Sequence, residues 1–148
     1  MSAPSQLDLF FIELDVDRRP ALRLSLSADG AITRYHSGTG SSIGNKDEHC
    51  FIAQLPPGCT FFREIAELFD PSWLLRAGVY ETPDQLGAAC SLRLTLSAGG
   101  RLAVLEYRYG AQSQGPPRDI RQFVIRAIEV TQSWYDEQNR IENQRSNR

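Results

Sequence analysis

From Phe10 the chain alternates. Phe10, Ile12, Leu14 and Val16 share one side of an extended segment, and Phe11, Glu13, Asp15 and Asp17 share the other. A period of two with one apolar side predicts a strand with one buried face. Arg18-Arg19-Pro20 interrupts the pattern, after which Leu22, Leu24 and Leu26 line a second strand. Asp29-Gly30 is expected to supply the positive φ angles of a tight turn, and Ala31 to His36 returns as a third strand, completing a β-meander. Ser37 to Asn45 holds three glycines and three serines among nine residues, too little apolar surface to bury, and reads as a flexible loop. Cys50 to Leu55 predicts a fourth strand, ended by Pro56-Pro57-Gly58.

The period then changes to that of a helix. Phe62, Ile65, Ala66 and Phe69 follow at helical spacing, with Thr60 as the expected N-cap and Asp70-Pro71 as the stop. Gly78 to Glu81 is expected to take the place in a second unit that the first strand takes in the first. Leu92 to Ser97 and Leu102 to Tyr109 make a second hairpin about Gly99-Gly100, and Pro116-Pro117 opens a last helix. Along that helix Ile120, Phe123, Val124, Ala127, Ile128, Thr131 and Trp134 form one stripe, opposite Arg121, Gln122, Arg126, Glu129, Ser133 and Asp136. From Glu137 only Ile141 is an apolar anchor, so the end is expected to fray.

Leu22 to Gly30 returns seventy residues later as Leu92 to Gly100, with seven of nine positions identical. A period this long, present in two copies, predicts an internally duplicated fold rather than a repeat array. The expected class is α+β, strands-helix-strands-helix, with an antiparallel sheet and two helices packed on one face. One domain is expected over residues 1–138, with repeat units about 7–75 and 76–138, and a polar tail over 139–148. At 148 residues and 41% hydrophobic the chain suits a single core.

Charge narrows the partners. The net charge is −2, but residues 1–90 carry twelve acids against seven bases and residues 91–148 six against nine. That excludes the global basic field of a nucleic-acid or anionic-membrane binder. No run of apolar residues is long enough to span a bilayer, and the start lacks the basic and apolar segments of a signal peptide, so a cytoplasmic protein is expected. Fifteen arginines against one lysine suggest a GC-rich bacterial genome.

No catalytic, cofactor or metal constellation emerges. Cys50, Cys59 and Cys90 lack CxxC spacing and read as buried thiols. His49 and Cys50 are adjacent, so on a strand they point to opposite faces and cannot act as base and nucleophile together. His36, His49 and Cys59 lack the closely spaced ligand pairs of zinc sites, and both imidazoles are expected to face solvent. Gly38 to Lys46 resembles a phosphate loop only superficially, because Asn45 separates Gly44 from Lys46 and Asp47 follows. Glu13, Asp15 and Asp17, two apart on one strand face, form an acidic row with nothing apolar around it to separate the pKa values; it reads first as a solvated edge or outer face, and in the alternative as an acidic strip that meets a basic partner. Tyr107, Tyr109, Arg93 and Arg108 bring interface-prone residue types to the second hairpin.

Leu92 to Tyr109, with its alternating leucines, glycine turn and tyrosine-ended strand, resembles a hairpin found in small immunity proteins of bacterial polymorphic toxin and secretion systems. The likeness covers about one eighth of the chain. It implies a cytoplasmic, non-enzymatic protein that binds and neutralises one cognate toxin, with no cofactor, no metal, no nucleic acid and no membrane. The expected partner-binding residues are Glu13, Asp15, Asp17, Asp47, Glu48, Tyr80 and Glu81. Two alternatives stay open: an adaptor or chaperone for a secreted effector, and a small ligand-binding protein or enzyme using a pocket between sheet and helices.

Overall fold

The computed structural model describes residues 6–36 and 49–146. The glycine- and serine-rich loop and the binding candidates Asp47 and Glu48 lie outside the described residues. The first alternating segments form β1 (Leu7–Val16), β2 (Arg19–Ser27), β3 (Ala31–Tyr35) and β4 (Phe51–Gln54). A short α1 (Phe61–Ala66) and a 3-10 turn (Pro71–Leu75) lead into β5 (Gly78–Glu81), β6 (Ala89–Ala98), β7 (Arg101–Gly110) and α2 (Arg118–Ser146). Among the described residues the strands make one seven-stranded sheet, ordered β4-β3-β2-β1-β6-β7-β5. It is antiparallel except where β5 meets β7, so the sheet is mixed but mostly antiparallel within an α+β fold.

The repeated segment acquires a structural reason here. Both β2 and β6 pair with β1, and in the same register: Phe10 faces Leu26 and Leu96, Ile12 faces Leu24 and Leu94, and Leu14 faces Leu22 and Leu92. One strand therefore makes the same demand on both neighbours, and a slip of one residue on either side would turn three leucines to water. All six leucines are buried, with Phe10 and Ile12 between them. The second unit departs from the expected plan at β5. Gly78–Glu81 does not pair with β6 as β1 pairs with β2; it runs parallel to β7 at the far edge. The reason is occupancy, since β1 and β7 already take both sides of β6.

The hairpin turns also differ. Gly99 and Gly100 both have positive φ, at 57° and 78°, in a two-residue turn. Between β2 and β3 only Gly30 does, at 94°, because a three-residue loop needs only one left-handed residue. Asp29 instead accepts hydrogen bonds through its carboxylate, from the Ala31 amide at 3.3 Å and from the Ser27 hydroxyl. Asp8 of β1 ties the two turns together, its carbonyl accepting from Ala28 N at 2.8 Å and its carboxylate from Gly99 N at 3.1 Å.

Both helices cover one face. Phe10 stacks on Phe62 of α1, with centroids 6.3 Å apart, and meets Phe123 of α2 edge-on at 5.2 Å. Trp73 meets Phe123 edge-on at 5.5 Å and donates from its indole N–H to Asp119 at 3.1 Å. Thr60 is not the expected side-chain cap; its hydroxyl donates to Glu64 Oε2 at 3.0 Å. α2 buries Ile120, Phe123, Val124, Ala127 and Thr131 of the expected stripe and leaves Ile128 and Trp134 half-buried, but it continues as helix to Ser146 instead of fraying at Glu137. Polar side chains replace apolar ones as its anchors. Tyr135 accepts from His36 N at 2.8 Å and donates to His49 O at 3.0 Å, while Asn139 accepts from His49 N at 2.9 Å. Arg34 is fully buried, donating to Thr131 Oγ1 at 2.6 Å and Gln132 Oε1 at 2.7 Å, with its guanidinium 4.7 Å from the Tyr135 ring centre. His36 is accordingly buried, not solvent-facing.

Candidate interaction face

Alternation that sends leucines to the helices sends a different set of side chains to the opposite face, which no helix covers among the described residues. Strand register arranges them in rows. One row runs Tyr35, Arg23, Glu13, Arg93, Glu106 and Val79 across five strand pairings, and the next holds Asp15, Ser91, Arg108 and Glu81. Towards the start of β1 the rows turn neutral: Ile52, Thr33, Ser25, Phe11, Thr95 and Val104, then Ser27, Leu9, Ser97 and Leu102. The open face thus has a charged half and a neutral half.

The charged half is a lattice of opposite charges. Arg23 donates to Asp15 at 2.7 Å and lies 3.9 Å from Glu13. Arg93 makes two hydrogen bonds to Glu106 Oε1, at 3.0 and 2.8 Å, and Arg108 bridges Glu106 Oε2 at 2.7 Å and Glu81 at 2.9 Å. Glu106 is buried beneath these arginines, and the Arg93 hydrogen bonds, followed by those of Arg108, hold its carboxyl below the usual range. The same pairs raise the Arg93 and Arg108 guanidinium values. Glu13 and Asp15 therefore do not form a bare acidic strip, because each has Arg23 from the adjoining strand beside it.

Asp17 lies at the end of β1 in a two-residue turn with Arg18, both at positive φ, 50° and 65°. Non-glycine residues adopt this conformation at a cost. Two bonds to Ala89 hold it, from Asp17 N to the carbonyl at 2.7 Å and from the Ala89 amide to the Asp17 carboxylate at 3.2 Å. Beside this turn a cleft of about 480 Å³ is lined by Asp15, Arg18, Gln85, Ala89, Cys90, Ser91 and Arg108. Tyr80 and Glu81 separate: Glu81 joins the lattice on the open face, whereas Tyr80 stacks on Tyr107 at 5.2 Å on the other and donates to Arg76 O at 2.5 Å. The structure thus brings Glu13, Asp15 and Glu81 to one face, leaves Asp17 in the turn at the end of β1, and sets Tyr80 apart.

Sequence reasoning missed the neutral half. Leu9, Leu102 and Val104 are 38%, 70% and 37% exposed, and Ile52 at the β4 edge is 83% exposed. The signal was available in Leu102 and Val104, which alternate against Ala103 and Leu105. The cysteines are also corrected: Cys50 and Cys59 are exposed and Cys90 is half-buried, because β4 is a short edge strand and Cys59 lies in the turn after it. Burial, then Asp17, raises the Cys90 thiol above its usual value, which works against thiolate chemistry. Among the described residues no group of three or more His, Cys, Asp or Glu is placed to hold a metal, and no helix is long and apolar enough to cross a membrane. Comparison with protein families, curated proteins and solved structures finds no match.

Proposed function

We propose that the chain is a non-enzymatic binding module whose partner is another protein, and that the partner covers the open face of the sheet. The carrying observation is that face itself: helices bury one side of the sheet, while the other presents exposed Leu9, Leu102, Val104 and Ile52 beside an ordered charge lattice. An apolar area next to fixed charges suits protein recognition, with burial supplying affinity and the lattice supplying register and steering. The partner class that fits the immunity-protein likeness is a bacterial toxin, neutralised in the cytoplasm. On this reading the two hairpins are an internal duplication, supported by their shared register on β1.

The test is capture of a partner by the tagged full-length chain from its own cells, identified by mass spectrometry and repeated with Leu102→Glu. Leu102 is exposed, so the variant should keep its circular dichroism spectrum while losing the partner. Growth arrest by the captured protein, relieved by co-expression of this chain, supports immunity. A harmless captured protein supports the adaptor reading instead. Unchanged capture by Leu102→Glu removes the open face as the site.

A further inference from the structure

On the helix-bearing side, away from the open face, a groove of about 310 Å³ lies between the end of the sheet and the first turns of α2. Its floor is the cross-strand pair Leu14 and Leu92 with Tyr109 of β7. One wall is the α2 stripe Arg121, Val124, Ile125 and Ile128, spaced i, i+3, i+4, i+7 and so on one side of the helix. The other wall is the segment from Ala111 to Pro116, where Gly115 lies against the Tyr109 ring, close enough that an added Cβ would meet it at 3.4 Å. A loop, a strand end and a helix therefore converge on an apolar space.

Two polar groups at this groove are uncommitted. Arg121 makes no ion pair or side-chain hydrogen bond among the described residues, in contrast to Arg23, Arg76, Arg93 and Arg108, which all pair with carboxylates. The Tyr109 hydroxyl makes no hydrogen bond among them either. Every fully buried side-chain nitrogen or oxygen among the described residues has a partner, so this hydroxyl is not fully buried. Burial of the ring, and secondarily Cys90, pushes its pKa up to about 12, so at neutral pH it is a proton donor and not a phenolate. Apolar walls with a few convergent polar groups are the usual form of a small-molecule site.

We propose that this groove binds a small amphipathic carboxylate, its hydrocarbon part against Leu14, Leu92, Val124 and Ile128 and its carboxylate on Arg121 and the Tyr109 hydroxyl. Charge complementarity selects the class, since Arg121 is the one charged lining residue and a forked guanidinium matches a carboxylate. Size limits it: at roughly 30 Å³ per water, the space suits a molecule of about ten heavy atoms, the size of octanoate.

Calorimetric titration of octanoate into the full-length chain tests this, with octanol and octyltrimethylammonium as probes lacking the anion. Saturable binding of octanoate below its micelle concentration is expected, with octanol weaker and the cation silent. Arg121→Gln should weaken octanoate about tenfold or more, as loss of a charge-assisted contact does, and Tyr109→Phe should weaken it less. Arg121 is exposed, so its variant should melt where the parent does. No saturable octanoate binding overturns the proposal, as does equal binding of octanol or unchanged affinity in Arg121→Gln. These outcomes are independent of partner capture, because the groove and the open face lie on opposite sides of the sheet.

Discussion

The two hairpins that flank β1 carry nearly the same nine residues and meet the same strand in the same register, yet they serve different surroundings. On the β2 side, Arg23 is shared by Asp15 and Glu13, the loop closes with one left-handed residue, and β3 goes on to a short exposed edge. On the β6 side, Arg93 is drawn to the buried Glu106, two glycines close the turn, and β7 acquires a parallel neighbour. Identity along the inward face therefore reports a common demand from β1, while the outward and turn positions respond to each hairpin's neighbours. The same residue type at equivalent positions, Arg23 and Arg93, ends in two different pairings.

The strongest way to break this comparison is to truncate its shared part. Leu24→Ala and Leu94→Ala, both fully buried opposite Ile12, should each cost ~2 to 5 kcal/mol in urea unfolding. Losses that differ widely between them would show that register does not create equal environments. A loss below about 0.5 kcal/mol for Leu94→Ala would place it among surface substitutions.

The turns should separate next. At Gly100 an added Cβ meets nothing within 4 Å, so Gly100→Ala should cost only its left-handed backbone conformation, about 1 to 2 kcal/mol. At Gly30 the Cβ would also approach Gln54 Nε2 at 3.1 Å and Leu55 O at 3.3 Å. Gly30→Ala should therefore be the more damaging of the two, measured by thermal melting under one condition. Equal losses would mean that Gln54 and Leu55 yield freely.

A smaller effect should distinguish the arginines. The native Glu106 carboxyl lies below its usual value of 4.5, chiefly through Arg93. A group whose native pKa is depressed adds stability above its unfolded value and loses that stability as pH falls through the native one. Acidification below about 4.5 should thus destabilise the parent, and Glu106→Gln should flatten that part of the profile. Since Arg93 and Arg108 are half-exposed, solvent screening limits the neutral-pH cost to about 1 kcal/mol. An unchanged acid limb in Glu106→Gln would remove this lattice as its source. The least effect is expected at the exposed thiols: Cys50→Ser and Cys59→Ser should shift stability by no more than about 0.5 kcal/mol. Either variant losing partner binding while folded would reveal chemistry at a thiol.

Much of the fold was legible because alternation and helical spacing are local consequences of which face is buried. The inward leucines, the two hairpins and the stripe from Ile120 to Thr131 could all be read from residues close in the chain. The candidate site was only half legible. Glu13, Asp15 and Glu81 could be named, but not that Arg23 and Arg108 would reach them from other strands, nor that Tyr80 would fall on the other face. Nor could the sequence show that α2 would continue as helix past Glu137, because Tyr135 and Asn139 bond the backbone of His36 and His49, about ninety or more residues away. The amino-acid sequence determined, by itself, which side of β1, β2 and β6 faces the core, since that depends on period alone. The tertiary structure decided which strands became neighbours, and with that the charge pairing, the parallel edge and the Arg121 groove, because those follow from contacts between residues that chain order does not bring together.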